Sequence, residues 1–407
     1  MISKFILNCI VLIGLVVTSV NGFGHGSAAQ ADRTDRAIEF PDVEGLQTLV
    51  VDLHTHSVFS DGHVWPKIRV EEALRDGLDG LAITEHLEYQ PHRADILHPD
   101  RNRAIEDAQA SANTSDLLII PGSEITRDAP AGHMNAVFIT DANQLLNVEA
   151  APEDQSDVTG YYEAASNWPA QNAVDAAHAQ GAFIFWNHPY WTRHEPDGRA
   201  KMNSFHRKNA KAGKLHGIEI ANGQTYSEEA HALAVRHDLA FIGVSDVHDL
   251  IDWDHPPGQG EHRPVNLVFT ATRTLEGIKE ALFAQRTVVW FRNTLIGRQE
   301  TLGPLLDASI DVVSAAYLPD TQVLQVEIAN HSDATFYLQN RSNITFMTAT
   351  DIITLAPHQT STFNLKPGRY ASEVTMKFDV LNALTKPKSH PSLTLVFEPT
   401  VPADPEG

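Results

Sequence analysis

Residues 49–63 read LVVDLHTHSVFSDGH, an apolar run that ends in two histidines and is followed by an aspartate. In an extended segment side chains alternate between two faces, so His54 and His56 point to the same side. Taken alone, two histidines and an acid among polar residues are more often a solvated turn than a site. Their meaning depends on whether similar residues follow other strands of the same sheet.

Six further β-rich apolar runs alternate with patterns typical of amphipathic helices. Together with the first run they cover 49–53, 80–84, 117–122, 182–186, 217–221, 240–244 and 266–270. The helix patterns lie between them at 66–76, 99–112, 169–180, 227–238 and 274–285. This repeated order of strand and helix predicts a parallel α/β barrel, in which the active site lies at the carboxyl ends of the strands.

The composition changes after about residue 300. Short alternating strands, separated by Asn, Asp, Gly and Pro turns, replace the helix patterns, and no convincing helix follows. We therefore predict a barrel domain over 32–295 and a small all-β sandwich over 305–407. The sandwich has no cluster of histidines and acids at metal-ligand spacing, which favours a structural or surface-contact role.

The N-terminus has the pattern of a secretory signal peptide. Lys4 precedes an apolar stretch over 5–20, and small residues suitable for cleavage follow it, so residues 1–31 are interpreted as a signal peptide and short leader. Cys9, the only cysteine, lies inside this stretch; a lipoprotein cysteine is the alternative, although Cys9 comes early for one. The mature chain is expected to be periplasmic or secreted and to have neither a disulfide nor a cysteine nucleophile.

The charge of the chain limits its partners. Asp and Glu total 52 against 30 Lys and Arg, which gives a formal net charge of −22 with histidine neutral. Such a surface repels polymeric nucleic acid and anionic membranes. We expect a small-molecule substrate and no membrane association after signal cleavage; the sequence leaves the oligomeric state open.

Histidines and acids recur at the ends of five predicted strands, and an aspartate lies in the first loop. The set is His54, His56, Asp61, His86, Glu124, His133, His188, Asp246 and His248. Packing explains any one such residue, but not the coincidence at five strands. Imidazole and carboxylate suit Zn²⁺, Mn²⁺ or Fe²⁺, and a carboxylate such as Glu124 can bridge two ions. The pattern therefore predicts a cluster of divalent cations.

The order of these motifs resembles the PHP (polymerase and histidinol phosphatase) metallohydrolases over about residues 48–290. The matching motifs are His54-Thr55-His56, Asp61-Gly62, Glu85-His86, Gly122-Ser123-Glu124, Gly132-His133, Asn187-His188-Pro189 and Ser245-Asp246-Val247-His248. The resemblance implies a distorted (β/α)7 barrel and two or three divalent metal ions. It assigns His54, His56, Glu124 and Asp246 to a first metal, Glu124, His133 and His188 to a second, and Asp61, His86 and His248 to a third.

The predicted cluster implies a hydrolytic mechanism. Two cations that share Glu124 would share a bridging water and lower its pKa enough to supply hydroxide near neutral pH. Asp246 is the best placed acceptor for the remaining proton, and no covalent enzyme intermediate is needed. The chain has neither a G-x-S-x-G elbow nor a P-loop. The sequence therefore has no motif for serine-hydrolase catalysis or for binding nucleotide phosphates.

The substrate class is narrowed by the loops near these motifs. Export and the sandwich resemble the secreted PHP phosphodiesterases, while other branches hydrolyse phosphomonoesters or aryl carbamates. Arg93 is predicted to contact a phosphoryl oxygen, and Tyr190 and Trp191 to hold an organic substituent. Because basic residues are few there, the sequence favours a phosphodiesterase for small alkyl or aryl diesters. The alternatives are a phosphomonoesterase, a carbamate hydrolase and a metal-binding module without catalysis.

Overall fold

A computed structural model describes residues 36–97 and 99–400. The predicted signal peptide, including Cys9, lies outside the described residues. Within the described part, no helix has the length and apolarity needed to cross a membrane.

The N-terminal part of the chain alternates strands and helices. Its strands are β1 (Gln47–Asp52), β2 (Gly80–Ile83), β3 (Leu118–Thr126), β4 (His133–Val137), β5 (Phe183–Trp186), β6 (Gly217–Asn222), β7 (Thr225–Tyr226), β8 (Ala240–Val244), β9 (Val265–Thr270), β10 (Thr287–Phe291) and β11 (Thr294–Gly297). Its helices are α1 (Pro66–Arg75), α2 (Arg103–Ala112), α3 (Val158–Ser166), α4 (Ala170–Ala179), α5 (Ser204–Lys211), α6 (Glu228–His237), α7 (Ile251–Asp254), α8 (Leu275–Phe283) and α9 (Gln299–Ser309). All seven predicted strands and all five predicted helices form, with ends shifted by a few residues.

Local chemistry explains where several helices begin. The side chain of Ser227 accepts a hydrogen bond from the Ala230 amide at the start of α6, and that of Thr274 accepts one from the Gly277 amide at the start of α8. In α6, acidic residues occupy the first turn and basic residues the last, which complements the helix dipole.

The C-terminal part forms two four-stranded antiparallel sheets. Its strands are β12 (Ile310–Tyr317), β13 (Leu324–Asn330), β14 (Phe336–Asn340), β15 (Thr345–Phe346), β16 (Ile352–Leu355), β17 (Thr360–Lys366), β18 (Val374–Val380), β19 (Ala383–Leu384) and β20 (Ser392–Phe397). One sheet has the order β12-β13-β17-β15 and the other β16-β14-β18-β20. The expectation that no helix follows residue 300 overlooked α9, which lies at the boundary between the two parts.

The N-terminal strands form one curled sheet, in the order β19-β11-β10-β9-β1-β2-β3-β4-β5-β6-β7, with β8 beside β6. β1, β2 and β3 are parallel, as are β5, β6 and β8, but β4 is antiparallel to both its neighbours and β9 is antiparallel to β1. The connection 127–132 is too short for a parallel crossover, so β4 turns back on β3. The structure confirms a mixed α/β domain but not a regular count of seven β/α units.

Two sets of hydrogen bonds join β8 to β1 and β9, strands that are not its neighbours in the sheet order. Just beyond β1 and β8, the Asp246 amide donates to the His54 carbonyl (2.9 Å) and the His56 amide to the Val247 carbonyl (3.1 Å). Deeper in the sheet, the Asn266 side chain accepts from the Gly243 amide (3.1 Å) and donates to the Gly243 carbonyl (2.7 Å). Asn266 is fully buried, and its side chain takes the place of backbone hydrogen bonds between β8 and β9.

We expect Asn266→Ala to lower the free energy of unfolding by about 2 to 4 kcal/mol. The change leaves the buried amide and carbonyl of Gly243 without partners, and each such group costs roughly 1 to 3 kcal/mol. Urea denaturation of the variant measures the loss, with Asn113→Ala, at an exposed position, as the control. A loss below about 0.5 kcal/mol, the usual range for surface changes, would contradict this role of Asn266.

Candidate metal centre

The predicted ligands gather where β1, β2, β3, β5 and β8 end, around a cavity of about 490 Å³. The cavity is lined by Asp61, His86, His133, His188, Tyr190, Trp191, Thr192, Asn222, Thr225, Asp246 and His248. His54, His56 and Glu124 lie beneath it and are fully buried. All nine residues predicted as ligands therefore belong to one cluster.

The first group of donor atoms surrounds Asp246. Its Oδ1 lies 3.1 Å from Nε2 of His54 and 3.2 Å from Nε2 of His56. Glu124 Oε2 lies 3.8 Å and 3.6 Å from the same two nitrogens. Ligand atoms that share one ion at bonds of about 2.1 Å are separated by roughly 3 to 3.5 Å. This group is close to the spacing that a single divalent ion requires.

The second group uses the other oxygen of Glu124. Its Oε1 lies 2.9 Å from Nδ1 of His133 and 3.6 Å from Nε2 of His188. Thus Oε2 faces the first group and Oε1 the second, which is the arrangement of a bridging carboxylate. His188 is the most distant member of this group, because its Nε2 lies 3.6 Å from Glu124 Oε1 and 4.0 Å from Asp246 Oδ2.

The third group surrounds Asp61. Its Oδ1 lies 3.1 Å from Nε2 of His248 and 3.3 Å from Nε2 of His86. The other ring nitrogen of His86 lies 2.5 Å from Glu124 Oε2, so His86 stands between this group and Glu124. His248 donates from Nδ1 to the Asp246 carbonyl (2.8 Å), which leaves its Nε2 as a free acceptor.

These residues fit divalent cations by an independent criterion. Asp61 Oδ1, Glu124 Oε2 and Asp246 Oδ1 are buried oxygens without a hydrogen-bond partner in the part of the chain that the structure describes. Each is nevertheless surrounded by imidazole nitrogens within 4.0 Å. Buried carboxylates of this kind are costly unless they are paired or bind metal. Cations remove that cost and satisfy the ring nitrogens as well.

Comparison with solved structures agrees with this geometry. The chain is similar to a two-domain protein from Bacteroides vulgatus that contains a predicted PHP-like metal-dependent phosphoesterase, with 35% sequence identity, coverage of 89% of this chain and 98% of that chain, and a TM-score of 0.78. This chain belongs to the PHP-like metal-dependent phosphoesterases. The expected family is thereby confirmed.

Other comparisons cover less of this PHP-like chain. A family model described as an Ig-like domain matches residues 310–396, within the predicted sandwich. A putative metal-dependent phosphoesterase from Bifidobacterium adolescentis matches with 20% identity over 49% of this chain and 87% of that chain (TM-score 0.36). An amidohydrolase from Chromobacterium violaceum, with bound sulfate and no metal, matches with 18% identity over the same shares (TM-score 0.34). No curated protein matches the sequence.

The backbone of the PHP-like centre is unusual at two predicted ligands. His188 has φ 24° and Asp246 has φ 52°, in the left-handed region that residues other than glycine rarely adopt. Strain of this kind persists where the surrounding structure enforces it, and it is concentrated at functional sites. Here the bonds between the ends of β1 and β8 hold Asp246 in position.

Burial and neighbouring charges set the protonation of the imidazoles. Burial, together with the charges of His248 and His86, lowers the pKa of His56 to about 3. Burial also lowers the pKa of His133 to about 4 despite the opposing charge of Glu124. Burial alone would raise the pKa of Glu124, but the charges of His86 and His133 bring it well below its ordinary value. Burial alone would lower the pKa values of His54, His86, His188 and His248, but the neighbouring carboxylates raise them above the ordinary value. Metal binds neutral imidazoles and ionised carboxylates, so a cation has to displace protons from these four rings.

The sequence analysis missed Glu219, a fully buried carboxylate on β6. Its Oε1 accepts a hydrogen bond from Nδ1 of His54 (2.7 Å), which leaves Nε2 of that ring free for a metal. Its Oε2 accepts from Asn222 Nδ2 (2.9 Å), which also donates to Asp246 Oδ2 (3.0 Å). The only signal for Glu219 was a charged residue inside an otherwise apolar strand, GIEIA.

Further polar residues fix the ligands and the backbone that carries them through hydrogen bonds. Asn187 donates to Glu124 Oε1 (2.8 Å), and its own side-chain oxygen accepts from the Asn135 amide (3.0 Å), which fixes the orientation of the amide group. Ser57 donates to Glu85 Oε1 (2.5 Å), and the buried Arg69 donates to the His56 carbonyl (2.7 Å). These contacts fix the turn that carries the first two histidines.

Of the three residues predicted to contact the substrate, two line the metal cavity and one does not. Tyr190 and Trp191 both line the cavity; the Tyr190 hydroxyl donates to the Thr225 carbonyl (3.3 Å), and Trp191 is 37% exposed. Arg93 is not among the residues that line this cavity. Its guanidinium lies over the ring of Tyr161, 4.0 Å from the centroid, where it lines a separate cavity of about 550 Å³. Stacking on Tyr161 thus holds Arg93 away from the position expected for it.

Proposed function

We propose that this PHP-like phosphoesterase is an exported phosphodiesterase that hydrolyses small alkyl or aryl phosphodiesters. The observation that carries the proposal is the lining of the metal cavity, which among the described residues includes no lysine or arginine. A phosphomonoester brings close to two negative charges and a diester only one. Divalent cations offset most of a single charge, so a diester needs no further basic residue.

The aromatic side of the cavity favours a second organic group. Tyr190 and Trp191 both line the cavity, the Trp191 ring centroid 5.4 Å from that of His188, and both rings can pack against an alkyl or aryl substituent. A monoester has no such group on its second oxygen.

Export of the protein is proposed because an apolar segment follows Lys4, as in a secretory signal peptide.

The proposed chemistry assigns separate roles to the carboxylates. Bound divalent cations would activate a water for attack and offset charge on the phosphoryl oxygens. Glu124 is fully buried and holds cations without touching the substrate. Asp246 reaches the cavity, and its Oδ2, oriented by Asn222, is the proposed proton acceptor. Asp61 is the most exposed of the three carboxylates. Together with His86 and His248 it would hold a cation that positions the leaving group of the substrate.

We expect bis(p-nitrophenyl) phosphate to be hydrolysed with a higher kcat/KM than p-nitrophenyl phosphate. The measurement compares both with p-nitrophenyl N-methylcarbamate, so that the leaving group stays constant, on protein loaded with Mn²⁺, Zn²⁺ or Fe²⁺. A monoester value more than tenfold above the diester, about 1.4 kcal/mol in transition-state stabilisation, would overturn the diesterase proposal. Activity on the carbamate alone would assign the enzyme to carbamate hydrolysis, and no activity on any of the three would favour a binding module.

Trp191→Ala should lower diester kcat/KM by about tenfold and change monoester kcat/KM by less than about threefold. The reason is that only the diester has a second organic group to pack on the ring, a contact of roughly 1 to 2 kcal/mol. Arg93→Ala is the matched control, because Arg93 stacks on Tyr161 in a different cavity. A larger loss of diester turnover in Arg93→Ala than in Trp191→Ala would restore Arg93 as a substrate contact.

A further inference from the structure

A second cavity, next to the metal centre, lies between the N-terminal and C-terminal parts. It has a volume of about 680 Å³, within the range of small-molecule sites, and its walls include Trp290 from the first part and Asp333 from the second. It is separated from the metal cavity by the turn between β6 and β7. Asn222 and Thr225 of this turn line the metal cavity, while Gly223 and Gln224 line the interdomain cavity.

Hydrogen bonds determine which nitrogen of His255 carries the proton. The side-chain oxygen of Gln224 accepts from Arg292 Nε (3.1 Å), so the amide nitrogen of Gln224 faces His255 and donates to its Nδ1 (3.0 Å). Burial lowers the pKa of His255 to about 4, so the ring is neutral. The remaining nitrogen, Nε2, is therefore an N–H donor, and the described residues provide no partner for it.

His262 and Trp290 add one acceptor and one donor to the same cavity. His262 donates from Nδ1 to the Arg263 carbonyl (2.8 Å), and burial lowers its pKa to about 4, so its Nε2 is a free acceptor. The two rings stack, with centroids 3.4 Å apart. Neither His262 Nε2 nor the indole N–H of Trp290 has a hydrogen-bond partner in the described chain. Three buried, unpaired nitrogens thus belong to side chains that line one cavity.

The charges around this cavity largely cancel. Arg36 and Arg263 both pair with Asp76, at 2.9 Å and 2.7 Å. Arg292 donates a hydrogen bond to the neutral Gln224, and the two acidic residues Glu261 and Asp333 line the same cavity. The cavity therefore has no excess of positive charge that would select an anion.

We propose that the interdomain cavity binds a neutral polyhydroxylated small molecule, such as a sugar or a polyol. A hydroxyl group can accept from His255 or Trp290 and donate to His262, which matches the mixture of two donors and one acceptor. The lining also includes Pro257, the first residue of the turn Pro257–Gln259, which buries none of its side chains. This proposal goes beyond the phosphodiesterase assignment and does not depend on it.

Isothermal titration of the full chain with glucose and with myo-inositol tests the proposal, and succinate serves as an anionic comparison. We expect saturable binding of a neutral probe with a Kd of about 1 mM or tighter. Trp290→Phe, which keeps the stacked ring but removes the N–H, and His262→Phe, which removes the acceptor, should each weaken binding by about tenfold. Trp65→Phe, an exposed tryptophan outside the cavity, should leave it unchanged.

Thermal unfolding of each variant shows whether it is folded, and metal-dependent hydrolysis provides a separate check of the catalytic site. No saturable binding of either neutral probe to the wild-type chain would overturn the proposal. Equal affinity in folded Trp290→Phe and His262→Phe would also overturn it, as would tighter binding of succinate than of both neutral probes.

Discussion

Glu124→Gln should lose bound metal and at least about 10³-fold in kcat/KM, roughly 4 kcal/mol of transition-state stabilisation. The substitution keeps the shape of the side chain but removes the charge that two groups of ligands share. Its Oε1 is 2.9 Å from His133 and its Oε2 is 3.6 Å from His56, so an amide would direct N–H bonds at one of the two groups. That group then has neither the charge nor the lone pair needed for an ion.

Elemental analysis and kinetics on the same preparation measure this effect. The wild-type protein should contain two or three ions per chain, lose activity to a chelator and recover it with Mn²⁺, Zn²⁺ or Fe²⁺. Asp128→Asn is the control, because Asp128 is exposed at 63% and its nearest ionic partner is Arg193. A Glu124→Gln protein that keeps two ions and more than about a tenth of its activity would exclude the bridging role.

Glu219→Gln should weaken metal binding by about 10- to 100-fold while leaving kcat near the wild-type value at saturating metal. Both oxygens of Glu219 are acceptors, one from His54 Nδ1 and the other from Asn222 Nδ2. Whichever way a glutamine amide is turned, its NH₂ group meets one of these donors. His54 is then free to rotate or to adopt the other tautomer, and its Nε2 is no longer held toward Asp246.

Competition titration against a chelator of known affinity measures the change, and circular dichroism confirms the fold. Glu229→Gln on the surface of α6 is the control, since Glu229 contacts only Arg199 among the ion pairs of the described chain. Unchanged metal affinity combined with a reduced kcat would show that Glu219 acts on the reaction itself and not through His54.

The ligands were predictable because of where they occur in the sequence. Each follows or lies close to a short apolar run, and the carboxyl ends of such strands meet at one edge of a sheet whatever their exact order. The prediction of His133 needed only its motif, although the strand that carries it, β4, was not predicted. Strand direction was less predictable, because β4 and β9 differ from the parallel pattern only through connections and contacts made far away in sequence.

Arg93, Glu219 and Asn266 show what sequence reasoning could not provide. Arg93 lies in a loop, and its position depends on Tyr161, 68 positions later in the chain. Glu219 and Asn266 occur within apolar strands and match no motif. Their roles depend on buried partners on other strands, His54 and Gly243, which only the folded chain brings within hydrogen-bond distance.

β19, the two-residue strand of the C-terminal part, pairs with β11 and thereby covers one end of the N-terminal sheet. Leu295 and Ile296 of β11 are buried there, and Asn293 bonds through its side chain to the Thr335 amide (2.8 Å) and carbonyl (3.0 Å). A chain shortened to its first 300 residues would expose this apolar strand with unpaired backbone groups, a template for sheet-to-sheet aggregation. We therefore expect the shortened chain to self-associate, and the two parts are best expressed and studied as one unit.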